Sequence, residues 1–168
     1  MPELPEVETI RRSLLPLVKG EVIREVRIFL AKAVKPSPAQ LEKDLVDREI
    51  TDLQRRGKYL LMCLDNGQQV AFHMRMSGRL VWHSGEPPLE KHTTLIINLV
   101  NGYSLHFVDP RKFGTAVLFP PADPPAGLQQ LGPEPLTDKK EEVLASLMMS
   151  AQRRSGPVKG LLLDQTVV

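Results

Sequence analysis

The sequence predicts a mainly β fold that carries α-helices at both ends of the chain. Three observations support this prediction. Apolar residues recur at helical spacing near the N-terminus, many short β-type runs with tight turns follow, and helical patterns return after a proline-rich stretch. The 168 residues suffice for one domain, or for one domain and part of another. A hydrophobic fraction of 42% and a charged fraction of 25% are typical of a globular protein.

The N-terminal helix is predicted from about Glu3 to Leu15. Its apolar residues lie three or four positions apart, as one face of a helix requires: Val7, Ile10, Leu14 and Leu17. Pro5 suits a first helical turn, because proline lacks the N–H that would have no partner there. Pro16 and Gly20 are expected to end the helix.

After this helix the sequence changes to the period of β-strands. Alternating apolar and polar residues over 26–30 predict a half-buried strand, and a short helix is expected around Ala39 to Leu45. Two Asn-Gly pairs, at 66–67 and 101–102, predict hairpin turns because this dipeptide readily adopts positive φ. Many short strands with close turns indicate a β-sandwich or a barrel. The further predicted strands are Ile50 to Leu53, Tyr59 to Leu64, Gln69 to His73, Arg79 to Trp82, Leu95 to Leu99, Tyr103 to Val108 and Thr115 to Phe119.

The C-terminal part of the sequence has a different organisation. Residues 120–135 contain six prolines and little periodicity, which predicts a linker over 120–136. Beyond it, apolar residues between Val143 and Met148 mark an amphipathic helix, and a second helical stretch is expected from Val158 to Asp164. We therefore expect a β-rich domain over 1–119, the linker, and a helical segment over 137–168.

Charge alone does not indicate a function for this chain. The sequence has 22 Lys+Arg and 20 Asp+Glu, and the small excess lies in the first 119 residues, with 17 basic and 14 acidic residues. The chain has a single cysteine, Cys63, so it forms no internal disulfide and fits a reducing compartment. The four histidines show no paired metal-ligand spacing with Cys63, and we expect no metal site in this chain. Without a membrane-spanning stretch or a signal peptide, a cytoplasmic location is expected.

The first residues carry the most chemistry. Methionine before proline is normally removed, which would leave Pro2 with a free secondary amine that can act as a nucleophile. Glu3 is adjacent and could move protons, and Glu6 lies one helical turn further on the same side. Glu8 is expected to be an exposed surface charge. By composition alone, an ordinary helix start is the favoured interpretation of Pro2 and Glu3.

The string Pro-Glu-Leu-Pro-Glu-Val-Glu-Thr at residues 2–9 resembles the N-terminal motif of the bacterial formamidopyrimidine-DNA glycosylase family. Further blocks resemble that family in the same order over essentially the whole chain. They are Arg55-Arg56-Gly57-Lys58-Tyr59-Leu60, His73-Met74-Arg75-Met76-Ser77-Gly78-Arg79-Leu80, Glu90-Lys91-His92, Asp109-Pro110-Arg111-Lys112-Phe113-Gly114 and Lys159-Gly160-Leu161-Leu162-Leu163-Asp164-Gln165. With this resemblance, the expected fold is an N-terminal helix on a two-layer antiparallel β-sandwich, followed by a helical segment.

The resemblance also implies a role for individual residues. Pro2 would be the Schiff-base nucleophile, Glu3 the general acid, and Lys58 a proton donor near the phosphate, with Arg55 and Arg56 forming a basic patch beside it. The residues that would fill the gap left by an extruded nucleotide are Met76, Arg111 and Phe113. Those that would hold the DNA backbone or the orphaned base are His92, Arg111 and Lys159. For Met76 and Phe113, ordinary core packing is the alternative interpretation.

The sequence departs from the family pattern in three ways. The family continues beyond Asp164-Gln165 with a helix–two-turn–helix and a four-cysteine zinc finger, neither of which this sequence completes, so residues 137–168 are interpreted as a truncated start of that domain. The loop that covers the extruded base belongs to the same part of the family. At Met74-Arg75 the family more often has Leu-Gly, and the sequence assigns no role to Arg75.

The resemblance implies a monomeric, bifunctional DNA glycosylase and abasic-site lyase that removes oxidised purines, such as 8-oxoguanine and formamidopyrimidines, from damaged double-stranded DNA. No cofactor is expected in this chain, because zinc would belong to the zinc finger. A sister branch that prefers oxidised pyrimidines is one alternative, although that branch usually begins Pro-Glu-Gly-Pro-Glu, against Leu4 here. A second alternative, of another class, is a catalytically impaired fragment that binds DNA weakly.

Overall fold

Two β-sheets form the centre of the N-terminal part of the computed structural model, which describes residues 2–85, 87–136 and 138–168. The chain divides into two compact units, Met1–Asp123 and Pro124–Val168. Both sheets and helices α1 and α2 lie in the first unit. Its elements in chain order are α1 (Leu4–Val18), β1 (Ile23–Ile28), β2 (Val34–Lys35), α2 (Pro38–Leu45), β3 (Ile50–Arg56), β4 (Tyr59–Leu64), β5 (Gln69–His73), β6 (Arg79–Ser84), β7 (Thr93–Leu99), β8 (Tyr103–Val108) and β9 (Thr115–Phe119).

The strand order is β1-β7-β8-β6 in one sheet and β2-β9-β5-β4-β3 in the other. The neighbouring strands are antiparallel, apart from the two-residue strand β2, which pairs in parallel with β9. The predicted mainly β fold with a two-layer sandwich is thus confirmed, with a parallel pair at one edge. Two residues are too few to show an alternating pattern, so the sequence did not predict β2.

Apolar side chains from both sheets share one hydrophobic core. Phe72 on β5 meets Phe107 on β8 edge to face, with ring centroids 5.8 Å apart, and both side chains are fully buried. Edge-to-face contact is a favoured geometry for aromatic pairs. The core therefore joins the two layers of the sandwich.

Helix α1 packs on β3 and runs three residues further than predicted. Pro16 lies inside the helix, and Val18 beyond it is 1% exposed, whereas Leu17 is 42% exposed. The predicted end at Leu15 and the assignment of Leu17 to the buried face were therefore wrong. Proline in a helix costs about 3 kcal/mol, and burial of a side chain such as Val18 contributes about 1.5–3 kcal/mol in return.

Both predicted Asn-Gly turns are present. Gly67 and Gly102 adopt φ angles of +82° and +87°, in the left-handed region that glycine occupies without strain. They close the β4–β5 and β7–β8 hairpins and thereby fix the register of four core strands.

The second unit contains helices α3 (Ala126–Gln129), α4 (Lys140–Gln152) and α5 (Val158–Leu162). The short α3 lies inside the proline-rich stretch, where no helix was predicted. The chain end packs back within this unit: the Gly132 N–H donates to the Gln165 carbonyl at 2.8 Å, and the Ser146 hydroxyl donates to the Val167 carbonyl at 2.7 Å. Among the described residues, no helix combines the length and hydropathy that crossing a membrane requires.

Candidate functional site

The start of α1 carries two carboxylates that bind different partners. Glu3 is the residue that precedes the helix, and its backbone N–H donates to Oε2 of Glu6 at 3.0 Å. The Glu3 carboxylate itself forms an ion pair with the ammonium group of Lys58. Glu6 therefore caps the helix, as a carboxylate at the positive end of the helix dipole does, and Glu3 is the carboxylate that meets the lysine.

Lys58 comes from the tight turn between β3 and β4, where Gly57 adopts a φ of +54°. The Lys58 side chain is 16% exposed and that of Glu3 is 47% exposed, so the pair lies at the protein surface with the lysine stem covered. Pro2, which is partly exposed, directly precedes Glu3. The fold thus gathers Pro2, Glu3, Glu6 and Lys58 at one end of α1. The expected removal of Met1 concerns a residue outside those that the structure describes.

This arrangement can support proton transfer beside a nucleophile. A carboxylate and an ammonium in direct contact form a charge-assisted hydrogen bond, which holds the two groups against each other. A free Pro2 amine would be one residue from Glu3 in the sequence. The site therefore places a carboxylate and an ammonium beside a candidate nucleophile at the start of α1.

Glu8 is not the exposed surface charge that the sequence suggested. Its side chain is 15% exposed and accepts hydrogen bonds from Arg11, from Arg12 at 2.8 Å and from Arg55 at 3.1 Å. The hydrogen bond from Arg11 lowers the pKa of Glu8 to about 2; burial opposes this effect, and Arg12 and Arg55 reinforce it. Glu8 therefore belongs to an internal network between α1 and β3.

Arg55 likewise differs from its expected role in a basic DNA-binding patch. Its side chain is 3% exposed, and its guanidinium binds Glu8 and the carbonyl of Gly57. A buried guanidinium cannot neutralise a phosphate in solution, so this part of the patch was wrongly predicted. Helical spacing could have placed Glu8 near Arg11, but nothing in the sequence places either of them near Arg55.

Met76 and Phe113 are exposed to solvent, with relative exposures of 49% and 62%. Ordinary core packing, the alternative interpretation of both, is therefore excluded. Met76 lies in the turn between β5 and β6, and Phe113 lies in the loop between β8 and β9. Large apolar side chains presented by two neighbouring loops are costly to leave in water unless another molecule covers them.

A buried carboxylate joins these two loops. Asp109, 1% exposed, accepts a hydrogen bond from the Ser77 hydroxyl at 2.5 Å and from the backbone N–H groups of Arg111 and Gly114 at 3.2 Å and 2.6 Å. Burial favours the neutral acid, but the hydrogen bonds from Ser77, Gly114, Arg111 and Phe113 outweigh it and lower the pKa of Asp109. Its own N–H donates to the carbonyl of His92 at 3.0 Å. Asp109 thus connects all three segments that carry Met76, His92, Arg111 and Phe113.

The backbone of these segments is strained at three positions. Arg75, His92 and Lys112 adopt φ angles of +52°, +70° and +60°, a region that costs a residue with a side chain about 1–3 kcal/mol. Each is itself a predicted contact residue or its immediate neighbour in sequence. Strain of this kind is often found at binding sites, and here it sets the directions in which the side chains of the loops point.

His73 lies between the two groups of residues. Its Nδ1 accepts the backbone N–H of Arg75 at 3.1 Å, and its ring meets the ring of Tyr59, the neighbour of Lys58. Burial first, and then the positive charges of Arg75 and Lys58, lower the pKa of His73 to about 4. His73 is therefore neutral at pH 7, and the backbone of Arg75, to which the sequence gave no role, is fixed by it.

Lys159 lies in the second unit, exposed on α5. An ion pair of 2.6 Å between Arg154 and Asp164 joins the residues on either side of α5 in the sequence. Within this unit Lys159 therefore belongs to an ordered helical element.

The described residues contain no group of three or more His, Cys, Asp or Glu side chains that could hold a metal ion. The rings of His83 and His106 lie 4.4 Å apart, but two imidazoles fall short of a structural zinc site. Cys63, the single cysteine, is buried in β4.

Comparison with known proteins gives a consistent family match. Residues 1–116 match the family model for the formamidopyrimidine-DNA glycosylase N-terminal domain. The chain is 43% identical over 173 residues to the formamidopyrimidine-DNA glycosylase of Pelotomaculum thermopropionicum, a match that covers 100% of this chain and 61% of the relative. It is 42% identical over 173 residues to that of Bacillus subtilis, with the same coverage of 100% and 61%. The chain thus spans about three fifths of the length of the curated relatives that it matches.

A solved structure gives the same match in three dimensions. The Lactococcus lactis formamidopyrimidine-DNA glycosylase, bound non-covalently to DNA that contains an abasic site, superposes with a TM-score of 0.89 at 32% identity. The superposition covers 99% of this chain and 64% of that one. A further structure of that enzyme, the T221P mutant with Fapy-dG-containing DNA, gives a TM-score of 0.89 at 32% identity over 99% of this chain and 61% of that one.

Proposed function

The chain belongs to the formamidopyrimidine-DNA glycosylase family, and we propose that it acts in base-excision repair as a bifunctional glycosylase and abasic-site lyase. Its substrates would be oxidised purines, such as 8-oxoguanine and formamidopyrimidines, in double-stranded DNA. The observation that carries this proposal is the ion pair between Glu3 and Lys58, directly beside Pro2. These are the groups that an amine-catalysed excision and elimination requires.

In the proposed reaction, the Pro2 amine attacks C1′ of the damaged nucleotide and the base departs with the electrons of the glycosidic bond. Protonation of the sugar ring oxygen opens the ring and gives an iminium ion between Pro2 and C1′. Glu3 is the proposed proton donor, and the ion pair with Lys58 holds its carboxyl group in place. The proposal requires no cofactor, since a secondary amine yields an iminium that cannot lose an N–H proton and is itself the electron sink.

Elimination then passes a proton from C2′ to the Glu3 carboxylate, which gave up its own proton when the ring opened, and the electron pair displaces the 3′-phosphate oxygen. Lys58 stabilises the departing phosphate by its charge or by a proton. Water finally hydrolyses the iminium, which releases the sugar product and regenerates the Pro2 amine. Apart from this water, the steps use only Pro2, Glu3 and Lys58, three of the four residues that the fold gathers at the start of α1.

We propose that Met76, Arg111 and Phe113 occupy the gap that an extruded nucleotide leaves in the duplex. A flexible thioether and an aromatic ring can replace lost stacking, and a guanidinium can donate to the unpaired base. Exposure of both apolar side chains, together with the Asp109 hydrogen bonds that join their loops, supports this role. His92 and Lys159 would bind the DNA backbone, and residues 137–168 would be the start of a helix–two-turn–helix.

A borohydride-trapping experiment tests the proposal. The chain, with a free Pro2 amine, is incubated with a duplex that contains one abasic site, and a covalent adduct is expected on reduction. An otherwise identical undamaged duplex is the matched control. Excision of 8-oxoguanine and of an oxidised pyrimidine on the same sequence then separates the proposed lesion preference from the alternative one. DNA binding without any adduct would reject the enzyme in favour of a binding module.

A further inference from the structure

Arg55 is a charged residue with almost no contact with solvent, since its side chain is only 3% exposed. Burial of a guanidinium costs folding free energy unless its N–H groups form hydrogen bonds. The hydrogen bonds of Arg55 therefore indicate its structural role. Nε donates to Oε2 of Glu8 at 3.1 Å, and Nη1 donates to the carbonyl of Gly57 at 3.0 Å. One planar group therefore binds helix α1 and the β3–β4 turn at the same time.

These two partners belong to the two segments that carry the candidate catalytic pair. Glu8 is on the helix that begins just after Glu3, and Gly57 immediately precedes Lys58. Arg55 therefore forms a second connection between the same two segments that the ion pair between Glu3 and Lys58 joins. Movement of the turn away from α1 would stretch both connections together.

We propose that Arg55 is a positioning residue, which fixes the turn that carries Lys58 against the first turns of α1 and so holds the Lys58 ammonium at Glu3. This inference deepens the proposed function and rests on it for its catalytic consequence. Arg55 has the shape that this role needs, because guanidinium donors point in fixed, different directions, whereas a lysine ammonium is a compact point charge on a flexible stem.

The network around Glu8 makes the inference testable without unfolding the protein. Glu8 also accepts hydrogen bonds from Arg11, through Nε at 3.0 Å and Nη2 at 2.8 Å, and from Arg12 Nε at 2.8 Å. Loss of Arg55 therefore leaves the Glu8 carboxylate paired. Arg12, whose side chain is 73% exposed, supplies a matched control, because it binds the same carboxylate but has no bond to the turn among its hydrogen bonds described here.

The experiment compares Arg55→Met and Arg55→Lys with the control Arg12→Ala. NMR of the Lys58 side chain at pH 7, with and without Glu3→Gln, measures how strongly the two groups interact. We expect Glu3→Gln to move the Lys58 Nζ resonance clearly in the wild type and in Arg12→Ala, and to move it by less than about half as much in both Arg55 variants. The single-turnover trapping rate at saturating abasic DNA should fall about tenfold in the Arg55 variants, with the DNA dissociation constant within about twofold.

A purely structural role would lower the unfolding midpoint and leave the effect of Glu3→Gln on Lys58 unchanged in the folded protein, and that result would overturn the proposal. If Arg55→Met does not fold, Arg55→Lys keeps the buried positive charge and tests the same point. If the wild type forms no adduct at all, the proposed function fails, but the NMR comparison still decides whether Arg55 positions Lys58.

Discussion

The hydroxyl of Ser77 donates to Oδ1 of Asp109 at 2.5 Å, and this bond connects the turn after β5 to the loop after β8. Ser77 also accepts the backbone N–H of Arg111 at 3.1 Å, so the two loops share a closed set of hydrogen bonds. Met76 and Phe113 lie close to these hydrogen-bonded residues in the sequence. Both side chains are largely exposed to solvent, so packing in the hydrophobic core does not fix their positions. Their relative placement therefore depends on Ser77 and Asp109.

Asp109→Asn should destabilise the protein by about 1–3 kcal/mol, because its amide N–H₂ cannot accept the backbone N–H groups that bind the carboxylate. Ser77→Ala should cost about 1 kcal/mol and leave those backbone bonds in place. Urea unfolding at pH 7 measures both changes. Asp65→Asn, at a carboxylate that is 40% exposed and 3.9 Å from Arg48, is the control and should stay within about 0.5 kcal/mol of wild type. Equal effects at positions 65 and 109 would contradict the role given to Asp109.

Met76→Ala and Phe113→Ala should change the free energy of unfolding by less than about 0.5 kcal/mol, since both side chains are exposed. The buried counterparts Met62→Ala and Phe107→Ala should each cost about 2–5 kcal/mol. On a duplex with an abasic site, the two exposed variants should bind about tenfold more weakly, because they can no longer fill the stack. Unchanged affinity in both would remove these residues from the proposed interface.

Most strands of the fold could be predicted from local patterns. Alternation and Asn-Gly turns depend on neighbours in sequence, and Tyr59–Leu64, Gln69–His73, Tyr103–Val108 and Thr115–Phe119 have the bounds that the sequence predicted. The end of α1 was harder to predict, because burial of Val18 offsets much of the cost of Pro16 inside the helix, and only the tertiary structure shows that burial.

The buried hydrogen-bond networks could not be predicted in the same way. Glu8 and Arg55 are 47 residues apart, and Ser77 and Asp109 are 32 apart, so no local spacing brings either pair together. Sequence motifs drew attention to Lys58, Met76 and Phe113, which the fold presents at its surface. The side chains that hold those residues in place are far apart in the sequence, and only the pairing of strands in the folded protein brings them together.

Stability should depend on pH through His73. Its pKa is about 4 in the folded protein against an ordinary value of 6.5, so between these pH values the unfolded chain binds a proton that the folded chain does not. The stabilising contribution is therefore complete above about pH 6.5 and is lost as the pH falls toward 4. His73→Asn, whose Oδ1 can still accept the Arg75 N–H, should lose about 1–3 kcal/mol less than wild type between pH 7 and 4.5. Urea unfolding at the two pH values measures the difference, and equal losses would show that His73 is not buried in its neutral form.

The identity of the nucleophile gives the last prediction. An N-terminal extension that turns the Pro2 nitrogen into an amide should abolish borohydride trapping on abasic DNA, because an amide nitrogen is not nucleophilic; protein that retains Met1 should fail for the same reason. Pro2→Gly keeps a free α-amine and should still trap, about tenfold more slowly, since the iminium of a primary amine can lose its N–H proton and become a neutral imine. Lys58→Ala should retain trapping, because Lys58 is assigned to proton transfer and phosphate release, but subsequent strand cleavage should slow by about 10²-fold or more. Intact-mass analysis of each protein fixes the state of its N-terminus. Trapping by the extended chain together with its loss in Lys58→Ala would make Lys58 the nucleophile, and the ion pair with Glu3 would then hold that nucleophile in place.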